Sequence, residues 1–205
     1  MTDDAANCAP PRFILASASP RRQELLRSAG YEFGVVAADV DESAYPAGML
    51  PTAIAVHLAE TKAKAIAAQH PDCVVLAADT VVAFGDIPLG KPKDEADARR
   101  MLLLLSGTTH LVITAVTVAH TAESVFKTVR TMSGVRMRFL TPAELDNYIA
   151  SGEWIGKAGG YGIQDRDPFV TRIAGSHTNI VGLPMGVAKR LLAEAGVKPK
   201  SESRP

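Results

Sequence analysis

The run Cys73-Val74-Val75-Leu76-Ala77-Ala78 is short, continuous and apolar, and it stops on Asp79-Thr80. A strand with apolar side chains on both faces has to be covered on both sides, so the chain needs a sheet with layers packed against it. Around this strand the patterns alternate between helix and strand. Phe13 to Ala16 reads as a first strand, Pro20 to Ala29 as a helix stopped at Gly30, and Tyr31 to Ala38 as a second strand leading into the acidic loop Asp39-Val40-Asp41-Glu42. A long helix follows over Thr52 to Gln69, then the buried strand, then a hairpin over Val81 to Leu89 turning at Gly85-Asp86. Asp94 caps a helix running to Leu105, and Leu111 to Ala119 pairs with Ser124 to Leu140, with a bulge expected at Gly134. Thr141-Pro142-Ala143-Glu144 is a capping-box start for a helix ending before Gly152. Lys157 to Pro184 is glycine-rich but patterned for strands, and Pro184 to Ala195 is the last helix. This order is mixed α/β with antiparallel pairs, without the regular alternation of a doubly wound fold. Two lobes would share one sheet.

Chemistry enters where residues break the local pattern. Ser19-Pro20 reads as the N-cap and first position of a helix, which puts Arg21 and Arg22 in its first turn. The helix dipole already places positive charge there, so each arginine costs up to ~1 kcal/mol unless an anion compensates. Two solvated arginines are the plain alternative; a phosphate held by helix-terminal amides and guanidinium forks is the functional one. Lys62 lies on the apolar stripe formed by Ile54, Leu58 and Ile66, where it needs a partner or must snorkel to water, whereas Lys64 points away and can pair with Glu60. Asp79, at the expected end of a central strand, is either a cap or turn residue or a ligand-site acid; strand-like Val81-Val82 weakens the capping alternative. Glu42 could join Asp79 around a hard cation such as Mg²⁺. Lys91 follows the hairpin with its backbone pinned by Pro92, and the glycines of Lys157-Ala158-Gly159-Gly160-Tyr161-Gly162-Ile163-Gln164 imply close backbone approach to something.

Several classes lose support. Lys and Arg together number 22, as do Asp and Glu, so no global field draws the chain to nucleic acid or to a membrane. Aromatics are scarce, which also disfavours a nucleic-acid-binding module. Histidines at 57, 70, 110, 120 and 177 show no ligand spacing, and neither a Walker loop nor a Gly-x-Ser-x-Gly elbow is present. Cys8 and Cys73 form no disulfide framework. Met1 to Pro11 is acidic and lacks an apolar leader core, and no apolar run reaches membrane-spanning length, so a reducing cytoplasm is expected. What remains is a set of cations and two acids without a nucleophile, suited to metal-assisted attack of water on a phosphate chain.

The motifs Leu15-Ala16-Ser17-x-Ser19-Pro20-Arg21-Arg22, Ala78-Asp79-Thr80-Val81-Val82, Gly90-Lys91-Pro92, Leu105-Ser106-Gly107-x-x-His110-x-Val112-x-Thr114, Lys157-Ala158-Gly159-Gly160-Tyr161-Gly162-Ile163-Gln164 and Val181-Gly182-Leu183-Pro184 closely resemble the Maf family of nucleoside triphosphate pyrophosphatases. The resemblance implies a Maf/Ham1-like α/β fold over residues 12–197, an elongated mixed β-sheet flanked by helices, with two lobes and a central cleft, and with flexible tails at 1–11 and 198–205. It implies a homodimer, a divalent cation (Mg²⁺ or Mn²⁺), and hydrolysis of a nucleoside triphosphate to monophosphate and pyrophosphate. By motif, Asp79 matches the proton acceptor, and Glu42, Lys62 and Lys91 match groups around metal and phosphates, with Glu42 and Asp79 as metal ligands. Ser17, Arg21, Arg22, Thr80 and Gln164 match substrate-binding positions, of which Arg21, Thr80 and Gln164 are tied to base choice.

Ala78-Asp79-Thr80 and Tyr161-x-Ile163-Gln164 are similar to the branch acting on dTTP and UTP; the 7-methyl-GTP branch usually carries Ser-Asp-Gln in place of the first triplet. That branch, and a nucleotide-binding regulator of cell division, are the alternatives. Three residues depart from the pattern: Gly156 where an acid is common, Ala115 for a glycine after Thr114, and Asp165 for the glycine after Gln164. Asp165 bears most on base choice.

Overall fold

The computed structural model describes residues 12–165 and 169–200. The expected tail at 1–11, with Cys8, and residues 201–205 of the other tail lie outside the described residues; Lys200 of that tail donates its backbone N–H to Gly30 O at 2.8 Å. One seven-stranded sheet organises the chain. Its order is β2 (Gly34–Val35), β1 (Arg12–Leu15), β3 (Cys73–Phe84), β5 (Thr109–His120), β6 (Val125–Met137), β7 (Val170–Ala174), with β4 (Ile87–Leu89) also paired to β3. β1 is parallel to β2 and β3, and every other pairing is antiparallel.

Alternation along β3 builds both layers. Val75, Ala77, Val81 and Ala83 face α2 (Pro51–Gln69), whose Ile54, Leu58, Ala63 and Ile66 are buried against them. Val74, Leu76 and Ala78 face the other way, into a cluster with α1 (Pro20–Ser28) and α6 (Met185–Glu194). Further along that second face, Val82 belongs to a separate cluster with α3 (Glu95–Leu105) and α4 (Pro142–Ser151). Leu102 and Leu105 there are fully buried, each contributing on the order of 2 kcal/mol. The two clusters on this face are the two lobes.

The caps expected from sequence are present. Asp94 accepts from Asp97 N at 2.8 Å, Thr141 and Glu144 form a reciprocal capping box, and α4 ends on Gly152 at φ 71. β6 is irregular against β7 at Gly134/Val135, as the bulge predicted.

Four expectations are corrected. The second strand, expected over Tyr31 to Ala38, is only Gly34–Val35, the two residues that pair with Ile14 and Leu15 of β1. Ser19 holds the N-cap position of α1, but its side chain makes no capping bond; Ser17 Oγ accepts the Ser19 N–H instead, at 3.3 Å. Among its described residues the segment 157–184 carries one strand, a 3₁₀ turn at Ala158–Gly160 and the short helix α5 (His177–Val181) rather than several strands, because Gly159 and Gly160 take positive φ and Ser176 caps α5. Finally, β3 does not end at Asp79-Thr80. It runs through them, because β5 pairs along its whole middle, Asp79 opposite Ala115 and Thr80 opposite Thr114.

Candidate active site

The uninterrupted β3 has a gap on its other edge. β1 pairs only as far as Leu76, and β4 begins opposite Val82, so no strand among the described residues covers Ala77 to Val81 there. A cleft of about 870 Å³ opens at this gap and reaches both faces of the sheet, its lining running from Ser17 to Arg22, over Asp79 to Val82, and on to Gly156–Ala158 and Tyr161–Gln164. That volume suits a nucleotide-sized ligand.

On the α2 face, helical periodicity aims Lys62 at β3. Lys62 is 6% exposed and does not snorkel. Its ammonium donates to Asp79 Oδ1 at 2.5 Å and to Glu42 Oε1 at 2.8 Å. Lys91, held after β4 by Gly90 and Pro92, donates to both Glu42 oxygens at 2.9 and 2.6 Å. Two acids and two lysines thus interleave as Asp79, Lys62, Glu42, Lys91. Burial pushes the Asp79 carboxyl up from its ordinary value, and this outweighs the opposing pull of Lys62 and Arg22. Glu42 is also raised by burial, but its hydrogen bonds from Lys62 and Lys91 win and bring it to about 2. Among the described residues no three His, Cys, Asp or Glu side chains gather as a metal cage. Glu42 and Asp79 line the same cleft, and two such hard carboxylates fit a cation whose remaining ligands come from substrate phosphates and water, the usual arrangement for Mg²⁺.

The opposite face carries the arginines. Arg22 Nε donates to Gly182 O at 2.8 Å, Nη1 to Ser17 Oγ at 3.0 Å and Nη2 to Thr80 Oγ1 at 3.1 Å. Burial lowers its pKa from the usual value, with Asp79 acting against the shift. Thr80 in turn shares a hydrogen bond with Thr114 at 3.0 Å, and Thr114 donates to Asn179 O at 3.1 Å. Three Arg22 donors are therefore engaged in joining α1 to β3 and α5. Arg21 reaches across the cleft, Nη2 donating to Gly156 O at 3.1 Å.

The glycine-rich wall is fastened to the lobe containing α3. Gly159 N–H donates to Gly90 O at 2.9 Å, and a Cβ at Gly159 would meet Val82 Cγ2 at 3.0 Å, so with its positive φ glycine suits this close approach of the wall to β3. Tyr161 OH pairs with buried His110 Nε2 at 2.6 Å, and burial lowers the His110 pKa to about 4. Gln164 is exposed on the cleft lip. Asp165 turns away from water; its carboxylate is buried among Tyr148, Lys157 and Gly162.

Every singled-out residue lines this one cleft: Ser17, Arg21, Arg22, Glu42, Lys62, Asp79, Thr80, Lys91 and Gln164. Sequence reading missed Tyr148 and the Thr114–Asn179 support behind Thr80. Nothing local marks Tyr148, since it sits where an amphipathic helix would bury an aromatic; Thr114 stands in a quoted motif, and its place opposite Thr80 follows only from the register.

The family model described as Maf-like protein matches residues 12–195. Relatives named dTTP/UTP pyrophosphatase include one from Deinococcus radiodurans, 47% identical over 91% of this chain and 94% of its own length. One from Novosphingobium aromaticivorans is 47% identical over 91% and 93%, and one from Cereibacter sphaeroides is 48% identical over 90% and 95%. A solved structure described as the Staphylococcus aureus Ham1 protein overlays with a TM-score of 0.42 at 15% identity, covering 62% of this chain and 71% of that one. That likeness is too distant to bear on the fold, which is read from the sheet itself.

Proposed function

The chain belongs to the Maf family, and from that premise we propose that it is a nucleoside triphosphate pyrophosphatase hydrolysing dTTP and UTP to the monophosphate and pyrophosphate. The observation that carries the reading is the buried Lys62 bridging Asp79 and Glu42 where the sheet edge opens into the cleft. Relatives named for this activity, at 47% identity over most of both chains, support the substrate class.

In this reading Asp79 accepts a proton from the water that attacks the α-phosphorus, and Lys62 holds its carboxylate in one orientation. An ordinary Asp, with a pKa near ~3.9, is a weak base at neutral pH, and burial moves Asp79 toward a more useful range. Lys91 and Arg21 carry exposed or half-exposed charge toward the triphosphate, stabilising the leaving pyrophosphate. Arg22 shapes that wall by fixing Ser17 and Thr80. Glu42 and Asp79 would hold Mg²⁺ or Mn²⁺, which supplies charge neutralisation for the phosphates and acidifies bound water. Gln164 offers an amide donor and acceptor, matching the imide face of thymine or uracil. A cytoplasmic homodimer belongs to the same reading: the family resemblance supports the dimer, and the free, buried Cys73 suits a reducing compartment. No helix among the described residues is long and apolar enough to cross a membrane.

The test is a screen of dTTP, UTP, CTP, ATP, GTP and 7-methyl-GTP for pyrophosphate release, with Mg²⁺ and with chelator. Release from dTTP and UTP is expected, lost on chelation. Preferential cleavage of 7-methyl-GTP would overturn the base assignment, and binding without turnover would overturn the enzyme.

A further inference from the structure

We propose that Asp165 is a positioning residue for base selection: its carboxylate folds residues 157–165 into the loop that presents Gln164 at the cleft lip. This rests on the reading of Gln164 as a base contact. Its own support is geometric. The Asp165 side chain is 7% exposed and gathers three donors from separate parts of the chain. Gly162 N donates to Oδ2 at 2.8 Å, Tyr148 OH of α4 donates to Oδ2 at 2.9 Å, and the Lys157 ammonium closes on Oδ1. One carboxylate, with about four acceptor sites, thereby ties the start and middle of the loop to a packed helix. The fit is tight, because a methyl group at Gly162 would collide with the Asp165 carboxylate.

The consequence for Gln164 follows from connectivity. It directly precedes Asp165, and hydrogen-bond readout of a base weakens steeply with small errors in distance and angle. Loss of the Asp165 charge would leave Lys157, 13% exposed at its side chain, as an unpaired cation in a largely buried place. The loop would then rearrange to hydrate it and carry Gln164 away.

The experiment uses the full chain with Asp165→Asn, Asp165→Glu and Tyr148→Phe, measuring kcat and KM separately for dTTP, UTP and CTP. Inhibition by inorganic tripolyphosphate serves as a base-free probe. Asp165→Asn is expected to narrow the dTTP-to-CTP ratio of kcat/KM by about tenfold, chiefly through KM, with tripolyphosphate inhibition within about twofold of wild type. Asp165→Glu should restore part of the ratio, and Tyr148→Phe should shift it the same way by less. A folded Asp165→Asn whose ratio stays within about twofold of wild type overturns the proposal, as does tighter tripolyphosphate binding with unchanged ratio, which would make Asp165 a neutraliser of Lys157. Should Asp165→Asn fail to fold, Tyr148→Phe decides by the same ratio. A wild type without pyrimidine preference removes the underlying reading as well, whereas a wild type that prefers dTTP with variants that do not shift removes this proposal alone.

Discussion

Asp79 and Thr80 are neighbours in sequence whose side chains leave opposite faces of β3, Asp79 meeting Lys62 Nζ at 2.5 Å and Thr80 meeting Arg22 Nη2 at 3.1 Å. Strand alternation separates them, and the open edge of β3 between β1 and β4 lets one cleft reach both. The candidate proton acceptor and a candidate base-selecting residue therefore belong to different packing environments, and substitutions at the two should have separable effects.

Asp79→Asn keeps the volume and removes the charge. Turnover is expected to fall by about 10²-fold or more, the effect of losing a positioned acid–base group. Pyrophosphate release at saturating metal and substrate is the measurement, and near-normal turnover would reject the role.

The two lysines should part company on stability. Lys62→Met leaves buried Asp79 without its ammonium and is expected to cost about 3–5 kcal/mol. Lys91 is 53% exposed at its side chain, so Lys91→Met should cost at most ~1 kcal/mol while raising KM. Urea unfolding alongside steady-state kinetics checks both; a destabilised Lys62→Met with unaltered kcat and KM would leave that lysine structural only.

The carboxylates respond to pH in opposite senses. The Asp79 pKa is raised by burial in the metal-free protein, so its carboxyl, followed by NMR in the presence of chelator, should titrate above the ordinary Asp range, and a titration at or below about 3.9 would show that Lys62 outweighs burial. Glu42 falls from 4.5 to about 2 on folding, so its stabilisation is fully present above 4.5 and is lost as pH drops through about 2. The stability difference between wild type and Glu42→Gln should accordingly shrink over that window in denaturant titrations.

Gly159→Ala combines a strained φ of 69° with a Cβ pressed on Val82, whereas Gly156, at φ 70°, faces open space. The first should cost about 2–3 kcal/mol and the second nearer 1 kcal/mol. Equal costs in thermal unfolding would mean that the wall does not depend on its approach to β3.

Gln164→Ala should lower discrimination between dTTP and CTP more than it lowers the best rate, because in the proposed reading its amide serves recognition. An unchanged ratio with reduced kcat would assign Gln164 to the chemistry instead.

Much of the molecule was legible locally. The apolar stripe that buries Lys62, the Asp94 and Thr141 caps, the turn at Gly85 and the crowding of glycines near Lys157 depend on residues within a turn or two of one another, and such patterns are written directly in the chain. Motif order identified the family for the same reason. Tertiary structure alone decided that Asp79 lies within a strand, since only β5 pairing across Ala115 carries β3 through it. It also decided that Lys62 bridges two acids, that Arg22 is held by Ser17, Thr80 and Gly182, and that Asp165 turns inward. Most of those contacts join residues far apart in sequence, up to the 160 positions between Arg22 and Gly182. A side chain's local pattern states whether it can be buried; the charge it meets there is set by whichever distant segment the sheet brings alongside.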